Sequence, residues 1–468
     1  LLTLAVLYQR FNFVCFDLKG VMMRLKALWI SLCLLLACAG LAAFAVDGPS
    51  AGQAATSAGV KAFLGARLID GSGLPAVENA ALIARDGRVE AVGPASEVKT
   101  PAGAQTINLA GKFIIPGLIS THVHVSDVRG LRPPAYTEEN TLRQLGVFAR
   151  YGVTSVLSLG GEKESAFKAR DAQNTPSLDR TRIYLAGDVI TGKTPQEARQ
   201  MVARVADAKP DVIKIRVDDN LGATTKMAPE VYRAIIDEAH QRGLRVAAHI
   251  FYLEDAKDLL RAGADFIAHS VRDKEIDDEF ISLMKKRDIP YCPTLTRELS
   301  AFVYESTPSF FSDPYFLREA DREVVAQLQE PQRQEAMRKS VTAQRYKSAL
   351  TVALRNLKRA VDAGLLVVMG TDAGAFANRF QGYFEHLEME MMAEAGLTTA
   401  QILRSATVDA ARAMRVEGIG SITKGAWADF VVLERDPLKD IRNTRSVASV
   451  WIAGNRAPGI EPQTGNAK

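Results

Sequence analysis

Eight short apolar runs, bounded by turn residues and mostly separated by helical patterns, recur between residues 114 and 374. They are Ile114–Val125, Val153–Gly160, Arg182–Val189, Val212–Val217, Arg245–Phe251, Phe266–Val271, Pro290–Thr296 and Leu366–Gly374. Each has the length of a strand buried on both faces of a parallel sheet. Three of the helical patterns are Ala228–Arg242, Leu253–Ala262 and Asp277–Lys286, each apolar along one face. The first has Pro229 at its start and Gly243 just past its end, the usual asymmetry of helix termini. Eight such strand–helix units predict an α/β protein built on a TIM (β/α)8 barrel, with active-site groups at the C-terminal strand ends. The seventh crossover, residues 297–365, is long. It carries the aromatic stretch Tyr304–Phe311, readable either as peripheral decoration or as a lid over the barrel mouth.

The flanks follow another pattern. Residues 60–113 and 420–457 alternate short strands with turns, and neither piece is long enough to close a core by itself. The economical arrangement is one small β-sandwich made from both chain ends. The expected division is therefore 46–113 and 417–468 for the sandwich and 114–416 for the barrel.

Residues 1–45 are expected to lie outside the fold. A start at Met22 or Met23 would give Arg24 and Lys26 as a basic region and Leu28–Cys38 as an apolar one. Ala43-Phe44-Ala45 then matches a signal-peptidase pattern. Export to the periplasm or beyond is the expectation, with cleavage near Ala45. Lipidation at Cys38 and an uncleaved anchor are the alternatives. This segment also explains the charge. The whole chain carries a formal +4, of which residues 1–45 contribute +3, so no basic field remains to attract nucleic acid. Only Cys292 follows Cys38, which excludes a disulfide scaffold or a thiolate zinc finger in the main body.

The functional signal lies in six histidines. His122 and His124 stand two apart at the end of the first strand run and so share a face. His249 closes the fifth run, His269 the sixth, and Asp372 the eighth. Lys214 sits inside the fourth run among β-branched neighbours, where an isolated ammonium is costly. An ion pair with a nearby carboxylate is one resolution. The other is that desolvation favours the neutral amine, which can take up CO2 as a carbamate, an anionic ligand with two oxygens. Four imidazoles, a carbamate and a carboxylate suit two divalent ions, Zn²⁺ first among them.

This pattern resembles the amidohydrolase superfamily over nearly the whole chain beyond the leader. The marks are Pro116-Gly117-Leu118-Ile119-Ser120-Thr121-His122-Val123-His124, then Lys214, His249, His269 and Gly370-Thr371-Asp372 in order. The tail adds Gly396-Leu397-Thr398, Ala406-Thr407, Gly425 and Ala428-Asp429-Phe430-Val431-Val432-Leu433. The similarity is greatest to the branch of imidazolonepropionase-like and Xaa-Pro-dipeptidase-like enzymes. It implies a distorted TIM barrel with a sandwich built from both chain ends. It also implies that His122, His124 and Asp372 bind the more buried metal, that His249 and His269 bind the second, and that carbamylated Lys214 bridges them.

The expected reaction is metal-dependent hydrolysis of an amide, such as a dipeptide or N-acyl amino acid. A metal-bridging hydroxide would attack, and Asp372 would carry the proton to the leaving amine. Tyr252, Arg272, Arg297 and His386 are candidate substrate contacts: a phenol beside His249, two guanidiniums that could clamp a carboxylate, and an imidazole on the helix after Asp372. His240 reads as a surface residue. The partner expected is a small molecule, with homo-oligomer formation left open. A cyclic amide or amidine hydrolase, or a deaminase, of the same superfamily and a non-catalytic exported binding protein are the competing readings.

Overall fold

In the computed structural model, residues 59–460 are described, and the expected leader with Cys38 and Ala45 lies outside the described residues. The first strands are β1 (Val60–Leu68), β2 (Val77–Arg85), β3 (Arg88–Pro94), β4 (Gln105–Asn108) and β5 (Phe113–Pro116). Seven further strands supply parallel sheets: β6 (Leu118–Val123), β7 (Val153–Ser158), β8 (Arg182–Leu185), β9 (Ile213–Arg216), β10 (Val246–His249), β11 (Phe266–Ala268) and β12 (Tyr291–Cys292). Near the end of the chain come β13 (Phe430–Leu433), β14 (Val447–Ile452) and β15 (Asn455–Arg456).

The first predicted run is split by Gly117. A β-carbon there would lie 2.0 Å from Thr154 Oγ1, so only glycine lets the chain turn past β7 at this point. Before it, β5 joins an outer sheet; after it, β6 enters a parallel one. The parallel strands form one sheet of order β6-β7-β8 and another of order β12-β11-β10-β9. Single parallel bridges join them: Ile190 to Ile215, Tyr291 to Val367, and Val123 to Ala373. The eighth predicted run, Leu366–Gly374, is present as these bridges and not as a continuous strand. Its amides and carbonyls are divided among Tyr291, Thr121, Ser405 and His122. The fourth to sixth runs lie where expected, and the seventh ends early, because Thr294 takes a left-handed conformation and starts a short helix, Leu295–Leu299.

Helices lie between the strands much as the periodicity predicts. Pro229–Gln241 buries Val231, Ile235, Ile236 and Ala239 along one face. Leu253–Ala262 ends at Gly263 in a left-handed conformation. Asp278–Lys286 is capped by the Asp277 side chain on the Phe280 amide. The long crossover folds into short helices and then the 22-residue helix Val341–Asp362. Its aromatic stretch is packing. Phe310, Phe311 and Phe316 interlock with Phe380, Tyr383 and Phe384, on and just before helix Tyr383–Glu394. No helix among the described residues is long and apolar enough to cross a membrane.

The two flanks meet in one mixed sheet of order β15-β14-β13-β5-β1-β2-β3, with β4 beside the first half of β1. Its apolar cluster contains Phe63, Leu82, Phe430, Val432 and Trp451, with Phe63 edge-on to both Phe430 and Trp451. A buried ion pair ties it to the parallel strands: Arg182 on β8 donates to Asp429 Oδ2 at 2.7 Å. The Arg182 guanidinium also covers one ring, Trp427, which Arg88 covers too.

Candidate metal centre

Strands β6, β9, β10 and β11, with the residues just past them, carry five of the predicted residues into one largely buried cluster, Lys214 being the second residue of β9. His122 is the fifth residue of β6, and His124 follows the strand's end. Asp372 is laid against them because the Thr371 and Asp372 amides both donate to the His122 carbonyl. Gly370 allows that approach: a β-carbon there would lie 2.5 Å from Cys292 Sγ and 2.8 Å from the His122 nitrogen. Asp372 and His269 have positive φ, 62° and 75°, which non-glycine residues adopt at a cost of order 1–3 kcal/mol. The cluster is held in this shape by its surroundings.

His124 Nε2 lies 2.8 Å and His122 Nε2 3.4 Å from the same oxygen, Asp372 Oδ1. Lys214 Nζ is 3.3 Å from His122 Nε2. The His122 ring lies 4.5 Å from His269, and His269 lies 4.2 Å from His249. All six residues are thus linked, and His122, His124 and Asp372 could hold a metal ion, their ligand atoms lying within 4.8 Å of one another.

The donor chemistry fits a cation. His124 Nδ1 is 3.0 Å from the Gly160 carbonyl, an acceptor only, so Nδ1 carries the proton of the neutral ring. Its Nε2 lone pair then faces the Asp372 carboxylate at 2.8 Å. Two acceptors hold that distance only with a proton or a metal ion to share. His122 Nδ1 is buried without a hydrogen-bond partner, another mark of a polar cluster completed from outside the chain.

Electrostatics push the same way. Burial holds His122 and His269 well below the ordinary imidazole range, and it lowers His249 to about 3 against the opposing pull of Asp218. Neutral imidazole is the form that ligates metal. Burial raises the Asp372 carboxyl, but Arg379, His124 and His122 outweigh it and hold the group well below the usual carboxylate range. Burial lowers Lys214 to about 8, against Asp372. No carboxylate forms an ion pair with Lys214 among the described residues; its hydrogen-bond contact is His122. The ion-pair explanation for this lysine therefore has no partner here.

Three neighbours were not anticipated from sequence. Asp218 accepts from His249 Nε2 at 2.8 Å, Thr294 Oγ1 meets His269 Nδ1 at 2.7 Å, and Arg379 donates to Asp372 Oδ2. Asp218 has a legible signal, standing four residues beyond Lys214 and two past the end of β9. Arg379 has none, since it lies in a loop.

The expected substrate contacts are distributed differently from the ligands. Tyr252 donates to Asp219 Oδ1 at 2.8 Å and lines an open cleft with Phe251, Arg272 and residues of helix Val341–Asp362. Arg272 and Arg297 are not surface residues: both are buried against Glu298. His386 is buried too, and its ring nitrogens meet Thr444, Tyr151 and Tyr315, none of them part of the cluster. His240 is exposed, as expected, and paired with Asp265.

A histidine–carboxylate cluster that could hold metal, set at the ends of parallel strands, defines the class of protein. The sequence profile described as Amidohydrolase family matches residues 113–457, and the chain belongs to that family. Among curated proteins, an uncharacterised protein of Mycobacterium bovis is 27% identical over 238 residues, 48% of this chain and 60% of that one. The chain thus spans less than two thirds of that relative. An imidazolonepropionase of Methylobacterium sp. (strain 4-46) is 25% identical over 413 residues, covering 78% of this chain and 90% of that one. A solved structure from Bifidobacterium longum, provisionally described as a prolidase, is 26% identical with a TM-score of 0.71, covering 87% of this chain and 96% of that one.

Proposed function

We propose that this protein is a metal-dependent hydrolase that cleaves the carbon–nitrogen bond of a small amide, such as a dipeptide or N-acyl amino acid. The observation that carries the reading is the convergence of His122 Nε2 and His124 Nε2 on one oxygen of Asp372, a set of ligand atoms within 4.8 Å of one another that could hold a metal ion. His122, His124 and Asp372 would hold one divalent ion, Zn²⁺ first, His249 and His269 another, and Lys214 as a carbamate would join them. The low basicity of Lys214 and its want of a carboxylate partner support that last step. When bound, the ions supply an activated water and Lewis-acid polarisation of the scissile carbonyl.

The chain's own residues supply the rest. Arg379 occupies Asp372 Oδ2, which leaves Oδ1 facing the histidines. Asp372 then accepts the attacking water's proton and returns it to the leaving amine. The parallel sheets and their bridges are read as a distorted TIM barrel, and the outer sheet as part of a sandwich. Export remains the proposed location. A second reading, hydrolysis of a cyclic amide, is favoured by the long match to imidazolonepropionase.

The test is metal content followed by a substrate screen. Protein loaded with Zn²⁺, Co²⁺ or Mn²⁺ should carry about two ions per chain, and His122→Ala should lose metal and activity together. The screen spans dipeptides, N-acyl amino acids, lactones and cyclic amides. One ion or none in active protein overturns the binuclear reading and favours a mononuclear deaminase-type enzyme. Two ions with no turnover of any member favours a binding protein.

A further inference from the structure

We propose that Arg272 is a positioning residue that aligns His249 and His269. This rests on the reading that those two histidines hold a metal ion. His249 is the last residue of β10, and His269 follows the last residue of β11. Past those points the parallel ladder runs out. Ile250 donates to the Ala268 carbonyl and Ser270 to the Pro293 carbonyl, and beyond them both segments leave the sheet. Two imidazoles 4.2 Å apart, on two strands that are ending, need a cross-link to keep a fixed relation.

Arg272 Nη1 provides it. One nitrogen donates to the Ile250 carbonyl at 2.8 Å and to the Ser270 carbonyl at 2.7 Å. Those are the residues directly after His249 and His269. The Arg272 amide adds a third tie, to the Phe251 carbonyl at 3.1 Å. The guanidinium is fixed in turn. Its Nε lies 3.0 Å from Glu298 Oε1, the Phe251 ring covers it at 4.5 Å, and its side chain is fully buried. Glu298, also fully buried, is held at both oxygens by Arg297.

Such a linkage demands arginine. A lysine ammonium is a point charge on a flexible stem and cannot meet two carbonyls and a carboxylate along different edges of one plane. It also explains why His269 tolerates a positive φ, since the carbonyl beyond it is anchored. Nη1 is committed to the two carbonyls, so the role proposed for Arg272 is alignment of the strand ends in place of a clamp on a substrate carboxylate, while Nε, in ionic contact with Glu298, and Nη2 make no hydrogen bond.

The experiment compares wild type, Arg272→Ala and Arg272→Lys by calorimetric Zn²⁺ titration of chelator-stripped protein, with thermal unfolding of each stripped sample alongside. Wild type should titrate two sites. Both variants should keep one at unchanged affinity and weaken the other by about 10–100-fold, as loss of a group that orients a ligand does. Guanidinium chloride at a concentration too low to unfold the protein should partly restore the weak site in Arg272→Ala but not in Arg272→Lys. If Arg272→Ala fails to fold, Arg272→Lys carries the affinity comparison. Two sites of wild-type affinity in a variant would overturn the proposal, as would equal weakening of both sites. Unchanged metal binding with a raised KM for carboxylate-bearing substrates alone would reinstate the clamp. A single site in wild type itself would instead remove the binuclear reading beneath the proposal.

Discussion

Lys214 and Asp372 each combine two properties that substitution can separate. Lys214→Ala should lose metal and activity, and a short carboxylic acid added in solution should partly restore both by occupying the space of the lost side chain. Lys214→Arg should fail although it keeps a charge, because a guanidinium forms no carbamate. A fully active Lys214→Arg would make the lysine structural. For Asp372, asparagine retains an oxygen toward the metal but cannot accept and return a proton near neutral pH. Asp372→Asn should therefore slow amide hydrolysis by about 10²–10⁴ with metal content unchanged. The loss should shrink for an activated ester, whose leaving group needs no proton. A loss under about tenfold would leave Asp372 as a ligand only.

His386 permits a prediction on stability. Burial lowers its imidazole to about 3, with Arg445 and Arg318 adding to the effect against the Tyr151 carbonyl. The unfolded chain would bind this proton near pH 6.5, so the stabilisation is complete above that value and is lost as pH falls toward 3. This one group should contribute up to about 1.4 kcal/mol per pH unit within that window. Urea unfolding from pH 7 to 4 should show a shallower decline for His386→Asn than for wild type; equal slopes would refute the assignment. The clustering of His122, His124, His249 and His269 was legible because an ionisable residue at the end of an apolar strand run stands out. His386 shows the limit of that rule. A helix fixes which face a residue takes but not which neighbour it meets, and its partner Thr444 lies 58 residues away.

At the scale of the element, strands β9 to β11 were legible because apolar runs of that length have few other uses. The eighth run was legible as a segment but not as a bridged one, since its backbone partners are set by Tyr291, Thr121 and Ser405, all distant in sequence. The break at Gly117 was also hidden, because glycine within an apolar run signals close approach without naming the neighbour. Here the neighbour is Thr154. Gly117→Ala should destabilise the protein by about 1–3 kcal/mol through overpacking. Adding Thr154→Ala should recover part of that loss in a urea titration. Simple additivity of the two changes would mean that the clash is relieved elsewhere.

At the scale of the molecule, the outer sheet and the parallel strands share the Arg182–Asp429 pair, both side chains almost wholly buried. Asp429 Oδ1 also accepts from the Ala453 amide, so one carboxylate links β8 with the turn after β14. Asp429→Asn would leave Arg182 buried with its charge unanswered, and should cost about 3–5 kcal/mol in equilibrium unfolding. A loss below about 1 kcal/mol would place the pair among those that water still screens. The alternating patterns of the flanks were read as one small sandwich from both chain ends; the described residues bring the two flanks together in one mixed sheet. The ion pair was not, because neither residue stands apart from other charged residues in the sequence.

The pairing of β5 with β13 also sets a timetable for synthesis. Ile115 pairs with Val431, so β5 leaves the ribosome long before its partner exists. At about 5–20 residues per second, the wait is roughly 15–60 s. During it the parallel strands and their helices can form, while one edge of β5 stays open to any other strand in reach. A nascent chain stalled before Phe430 would carry an adhesive edge, and a chaperone that shields β5 would serve the cell until translation catches up.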